Sequence, residues 1–285
     1  MRNCILSVLL VWTLGAQTPP PAADAKKPEP AKEKAFAEVV KDAKTIPGLF
    51  TLYRTEEKVF LELLPEQFDK AYMLSLTCES GLGERGFYAS QMCGEAPFEF
   101  RKEGKNVRLV MSNTRFTARE GTPMRRAVGR SFSESILGLS KVESLPHPDR
   151  KSVLIDVGPI LLTDVPMLGF DLESRFRIPY RFDAKNSYFG MLKGFSQNVE
   201  IETVAHYAAE RPPIPPLPAP NAPPPPPPPP PPRNLPDMRS MLFHLRYSLS
   251  ELPQTGYRPR LADDRLGHFF ERADDFTEDV AHTPA

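Results

Sequence analysis

The sequence predicts a mainly β fold, an antiparallel sandwich or open barrel of roughly ten strands with one or two short helices. Three observations predict it. Apolar residues alternate over short runs, the period of a half-buried strand rather than of a helix. Turn residues separate those runs, as at Thr55-Glu56-Glu57 and Glu103-Gly104-Lys105-Asn106. Proline, 34 residues in all, is concentrated, with five between Pro19 and Pro30 and seventeen between Pro212 and Pro236. The other 12 are spread over the rest of the chain, which therefore reads as a globular body with two proline-rich segments.

The elements follow in order. Arg2 and the apolar run at residues 5–14 are the positive and hydrophobic parts of a signal peptide, residues 1–16, with Leu14-Gly15-Ala16 offering small residues for cleavage. That run is about half the ~20 residues needed to span a bilayer. An uncleaved anchor is the alternative. The localisation expected is secreted or periplasmic, with no stable membrane span after cleavage. Residues 17–33 form a proline-rich flexible tether. Residues 34–285 are one strand-rich domain with a polyproline loop insertion at 211–236.

That domain opens with a helix over 34–44, where Phe36, Val39 and Val40 have helical spacing and Pro47-Gly48 ends it. Strands are predicted at 49–54 and 58–64 (a hairpin), 72–77, 98–102 and 107–112 (a second hairpin), 152–156, 174–178, 187–192, 199–208 and 238–249. A short helix is expected at 133–139. The run Pro223 to Pro232 adopts polyproline II, a rod of ~31 Å. It reads either as a ligand for an aromatic-lined groove, with Pro228-x-x-Pro231-x-Arg233, or as a solvent-facing loop at a hairpin tip.

Charge and cysteine usage bound the function. Lys plus Arg and Asp plus Glu are both 36, so there is no basic field to hold nucleic acid. Once Cys4 leaves with the signal, Cys78 and Cys93 remain as an even pair in an oxidising compartment, and a disulfide between them is favoured. The other readings are two buried thiols or two metal ligands.

Catalytic motifs are scarce. No two of His147, His206, His244, His268 and His282 form the His-Glu-x-x-His pair of a zinc protease. His206 and Glu210 do not converge from a strand. Gly81, Gly83 and Gly86 have the spacing of a dinucleotide fingerprint, but Phe87-Tyr88-Ala89-Ser90 is a poor helix opening, so a glycine-rich loop is the ordinary reading. Asp156, Asp164, Asp171 and the pairs Asp263-Asp264 and Asp274-Asp275 read as turn carboxylates. Arg258, Arg260 and Arg265 could clamp an anion or pair with the neighbouring acids. No catalytic or metal-ligating residue is predicted.

Several stretches together carry a resemblance. They are Gly48-Leu49-Phe50-Thr51-Leu52-Tyr53, Val59-Phe60-Leu61-Glu62-Leu63, Phe98-Glu99-Phe100 and Phe195-Ser196-Gln197-Asn198-Val199-Glu200-Ile201. The most specific are Tyr247-Ser248-Leu249-Ser250-Glu251-Leu252-Pro253 and Thr255-Gly256-Tyr257-Arg258-Pro259-Arg260-Leu261-Ala262-Asp263, followed by Arg265-Leu266-Gly267. Over roughly residues 35–280 the chain resembles the N-terminal non-catalytic region, of unknown function, of exported bacterial zinc-dependent metalloproteases of the metzincin-like type.

The resemblance implies that zinc and its histidines belong to a downstream catalytic domain, and that no cofactor sits in this chain. It implies a module, inactive alone, that packs on, folds or shields a zinc protease domain in cis or in trans. Tyr257, Arg258, Arg260, Asp263 and Arg265 are the residues expected to contact that domain. The alternative is a stand-alone extracytoplasmic module that binds protein or glycan through the polyproline segment or the Gly81 to Gly86 loop.

Overall fold

A computed structural model describes residues 34–209, 230–253, 265 and 273–277. The expected signal peptide and tether, and the centre of the proline segment, lie outside the described residues.

The described elements run α1 (Phe36–Val39), β1 (Lys44–Ile46), β2 (Thr51–Arg54), β3 (Val59–Leu63), β4 (Ala71–Cys78), β5 (Gln91–Glu103), β6 (Asn106–Met111), β7 (Phe116–Thr117), α2 (Pro123–Ser131) and β8 (Ser135–Lys141). They continue with β9 (Val153–Asp156), α3 (Gly158–Leu161), α4 (Leu168–Phe176), β10 (Arg181–Phe182), β11 (Tyr188–Gly194), β12 (Asn198–Ala208), β13 (Ser240–Glu251) and β14 (Asp274–Asp275). The fold is mainly β, as expected, with fourteen strands and four short helices among the described residues.

One sheet has the order β1-β2-β3-β9. The larger has the order β10-β12-β13-β4-β5-β6-β8, with β11 also paired to β12, and curves into a half-barrel. All of these neighbours are antiparallel. The alternation that predicted the strands is visible in their burial: every second residue of β4 is buried, including Tyr72, Leu74, Leu76 and Cys78. Phe50 meets Tyr72 and Phe100 edge-on, tying the small sheet to the large one across a shared core.

The two sheets also touch at both ends. Val142 bridges Ile155 between β8 and β9, and the Leu49 N–H donates to Phe195 O at 2.7 Å. The second contact requires glycine, because a Cβ on Gly194 would overlap the Pro47 carbonyl.

Strands β3 and β9 of the small sheet are covered on both faces, which is why all five residues of β3 and all four of β9 are buried. Val59, Leu61 and Leu63 face the main core, while Phe60 packs with Phe36, Tyr53 and Leu154 under α1. Glu62 shares that outer face. Its carboxylate accepts from Tyr53 Oη (2.8 Å), Arg150 Nε (2.8 Å) and Ser152 Oγ (2.5 Å).

Three local expectations are corrected. Residues 133–139 are not a helix. Most of the stretch is in edge strand β8, where Gly138 pairs with Leu109 and lies so close to α3 that a Cβ would come within 2.9 Å of Ile160 Cα. Residues 174–178 are not a strand: they close α4, and Arg177 ends it with a positive φ of 57°. The opening helix is one turn, Phe36–Val39, rather than residues 34–44.

Candidate functional site

The cysteines sit where a bulge brings them together. Leu76 pairs with Gly94 and Thr77 with Met92, so Cys93 is the extra residue of β5. It turns toward Cys78 at the end of β4, the Cα atoms are 5.8 Å apart, and the sulfurs are joined as a disulfide. The bond helps to line a cleft of about 220 Å³ shared with Ser80, Phe87, Tyr88, Met92 and residues of α4.

The loop with the dinucleotide spacing lies beside this cleft, and its hydrogen bonding explains why it is not a phosphate cradle. The N–H groups of Leu82 and Gly83 both donate to Phe87 O, at 2.8 and 3.0 Å, and the Phe87 N–H donates back to Glu84 O. A phosphate loop needs such N–H groups directed at the ligand. Gly81 is required by packing, since a Cβ would lie 2.5 Å from Phe87 O, and Gly83 and Gly86 hold φ of +71° and +87°. Arg85 donates to Arg175 O at 2.6 Å and lies over the Phe176 ring, which anchors the loop to α4.

The downstream end of the proline segment docks on the same loop. The Arg233 and Asn234 N–H groups donate to Glu84 Oε1 at 2.8 and 3.2 Å, and Asn234 Nδ2 donates to Leu82 O at 3.0 Å. Pro232 is buried, and Leu235 and Met238 pack against the core. The solvent-facing insertion expected over 211–236 is therefore shorter at this end.

Two large apolar side chains stand open at the cleft beside polar ones, among them Gln91, Asp171 and Arg175. Tyr88 (49% exposed) and Met92 (61%) line it, and Met167 (60%) and Phe170 (66%) are exposed at the start of α4, whose Leu168 and Asp171 line the cleft. Large apolar side chains are exposed elsewhere too, as at Ile136 and Leu242 on the sheets, but Tyr88 and Met92 stand open beside a cleft.

The predicted carboxylates do not converge. Asp156 pairs with Lys58 at 2.9 Å and accepts from the Gly158 N–H. Asp164 accepts from the Leu168 and Gly169 N–H groups at the start of α4 and from Tyr207 Oη at 2.6 Å. Asp171 lines the cleft. Asp274 and Asp275 pair in parallel with Phe116 and Thr117 of β7. Tyr257, Arg258, Arg260 and Asp263, four of the five residues expected to contact a protease domain, lie outside the described residues, and Arg265 is described in isolation. Among the described residues no three His, Cys, Asp or Glu side chains gather as a metal site.

The outward face of β12 and β13 holds what spacing arguments missed. His244 Nδ1 meets Glu202 Oε1 at 2.7 Å. Farther along, His206 Nδ1 meets Asp183 Oδ2 at 3.0 Å while its Nε2 meets Ser240 Oγ at 2.8 Å. Hydrogen bonds from Asn186, from His206 and from the Lys185 N–H hold the Asp183 carboxyl below the ordinary aspartate range. Strand register makes this assembly: Ala208 pairs with Ser240 and Tyr207 with Phe182, so residues 23 and 34 positions from His206 reach its two ring nitrogens.

A β-rich module with a disulfide-lined cleft is the class that fold and site define. Residues 90–284 match the family described as a domain of unknown function, DUF5117, and the chain belongs to that family. No curated protein and no solved structure matches it. No described helix is long and apolar enough to cross a membrane.

Proposed function

We propose that the chain is an exported module of a zinc-dependent metalloprotease-like protein, secreted or periplasmic, that docks on a protease domain and assists its folding or shields it. The zinc and its ligands belong to that partner. The resemblance of residues 48–64 and 247–267 to the leading region of such proteases supports the partner's identity. The observation that carries the docking role is the exposed pair Tyr88 and Met92 lining the disulfide-bounded cleft. Apolar side chains of that size, clustered and water-exposed, gain most when another protein covers them. The disulfide supports an oxidising compartment.

The test mixes the purified chain with the zinc protease domain of a protein carrying this module and measures binding by calorimetry, with refolding yield alongside. The double variant Tyr88→Asp, Met92→Asp is expected to weaken binding at least tenfold while leaving the far-ultraviolet spectrum unchanged. An absence of binding, together with no effect on yield or peptidase activity, overturns the reading.

A further inference from the structure

We propose that Ser240, His206 and Asp183 form a hydrolytic site for small carboxylic esters. The bonding order is that of a nucleophile, its base and the group that orients the base: hydroxyl on Nε2, carboxylate on Nδ1. The three groups are also placed for it. The His206 side chain is 14% exposed and Asp183 27%, whereas Ser240 stands exposed at the start of β13. Asp183 is fixed by Asn186 Nδ2 at 2.6 Å and the Lys185 N–H at 3.1 Å. The His206 backbone is held at both groups, its N–H by Ser187 Oγ and its carbonyl by the Asp183 N–H. The pair His244–Glu202 on the same sheet face is the internal contrast. It has the carboxylate on Nδ1 and, among the described residues, no hydroxyl on Nε2.

A cleft of about 820 Å³ adjoins the site. It reaches Asp183 and Ala208, the cross-strand neighbour of Ser240, and is lined by Pro179, Phe182, Arg181 and Lys185. Arg181 is paired with Glu173, but the Lys185 ammonium makes no ion pair among the described residues. Apolar walls with one open cation suit an ester that carries a carboxylate or another anionic group.

In the reaction Ser240 Oγ bonds to the acyl carbon and its proton passes to His206 Nε2. The ester C–O bond breaks and the leaving oxygen takes that proton. Water then attacks the acyl-serine with His206 again accepting the proton, the carboxylic acid leaves, and Ser240 regains its hydrogen. Asp183 is a positioning residue. The Ser240 N–H is engaged with Asp237 O at 3.3 Å, so the nucleophile's own amide is not turned toward an oxyanion. One missing oxyanion donor costs ~10²–10³ in rate, which confines the site to activated esters and excludes amides.

The site shares no residue with the docking cleft, so the two readings fail separately. The test treats the full chain with an alkyl fluorophosphonate, where the Ser240 oxygen bonds to phosphorus and fluoride leaves, and locates the label by peptide mass spectrometry. Label is expected at Ser240 and is lost in Ser240→Ala. His206→Gln is expected to slow it ~10²-fold or more. Asp183→Asn is expected to shift the pH profile of labelling, with Lys185 and the Arg181–Glu173 and Asp237–Arg239 pairs as other charges on the surrounding segments. Ser240→Cys, probed with iodoacetamide, gives the same readout on a second nucleophile and is expected to outpace a free cysteine peptide. Labelling of Ser240 no faster than of the exposed Ser133, or unchanged in His206→Gln with native near-ultraviolet signal, overturns the proposal.

Discussion

Replacing Glu62 by leucine removes the acceptor of three hydrogen bonds at once, and the consequences of the three differ. Tyr53 Oη and Ser152 Oγ are buried, with Ser152 fully so, and each loses its partner where no water replaces it. An orphaned buried hydroxyl costs ~1–3 kcal/mol. The Arg150 side chain is 46% exposed, so its guanidinium rehydrates and adds little. Leucine recovers some apolar burial on β3, leaving a net loss of about 3 kcal/mol. Arg150→Ala is expected to cost under about 1 kcal/mol.

The pH dependence has a definite sign. Burial raises the Glu62 carboxyl, but hydrogen bonds from Ser152, Arg150 and Tyr53 outweigh it, and the group lies below the ordinary glutamate range. A carboxyl lowered by folding contributes stability above its unfolded pKa, lost as pH falls through the folded value. Urea denaturation at pH 7, and again at steps below pH 4.5, measures both effects. A Glu62→Leu variant within about 0.5 kcal/mol of the parent at pH 7, or one with an unchanged acid limb, refutes the reasoning.

Two further expectations rest on single features. Reducing the Cys78–Cys93 bond, or substituting Cys78→Ser, is expected to cost up to ~3 kcal/mol for a loop of this length, read as a lower thermal midpoint in reductant. Tyr53, Tyr72 and Tyr180 are pushed up to about 12, in each case by burial first, and Tyr207 and Tyr247 go higher still for the same first reason. A phenol raised by folding contributes stability below its unfolded pKa near 10 and loses it as pH rises. Five of the eight tyrosines should therefore stay dark at 295 nm up to about pH 11, and ionise together as the chain unfolds.

Where alternation was regular, the strands were legible: 199–208 and 238–249 became β12 and β13 within two residues. The misread stretches had their signals crossed by neighbours. Phe176 and Ile178 alternate like a strand, yet Leu168, Leu172 and Phe176, all buried, carry the four-residue spacing of α4. Ile136 and Leu139 are spaced as in a helix because β8 is an edge strand whose side chains face water. The Asp183–His206–Ser240 chain could not be read from spacing, because it depends on pairings that the sequence does not number. A strand register laid over β12 and β13 would have found the His206 and Ser240 half of it.

The sequence offers the glycine loop and the proline segment as separate binding features, but Glu84 joins them. Its carboxylate takes the N–H groups of Arg233 and Asn234, so a partner that pulls on the proline segment pulls on the loop beside the disulfide cleft. Glu84→Ala removes both bonds and leaves the Asn234 Nδ2 bond to Leu82 O as the anchor. Bonds to a charged acceptor contribute ~1.5–3 kcal/mol each when shielded. Here both donors are on exposed residues, and the pair together is held to about 1–2 kcal/mol. Local opening should then speed amide exchange at Arg233 and Asn234 by roughly tenfold, while the amides of β12 and β13 keep their rates. Adding Asn234→Ala should extend the increase to Leu235. Unchanged exchange at Arg233 and Asn234 in Glu84→Ala would mean that the two segments are not coupled through this carboxylate.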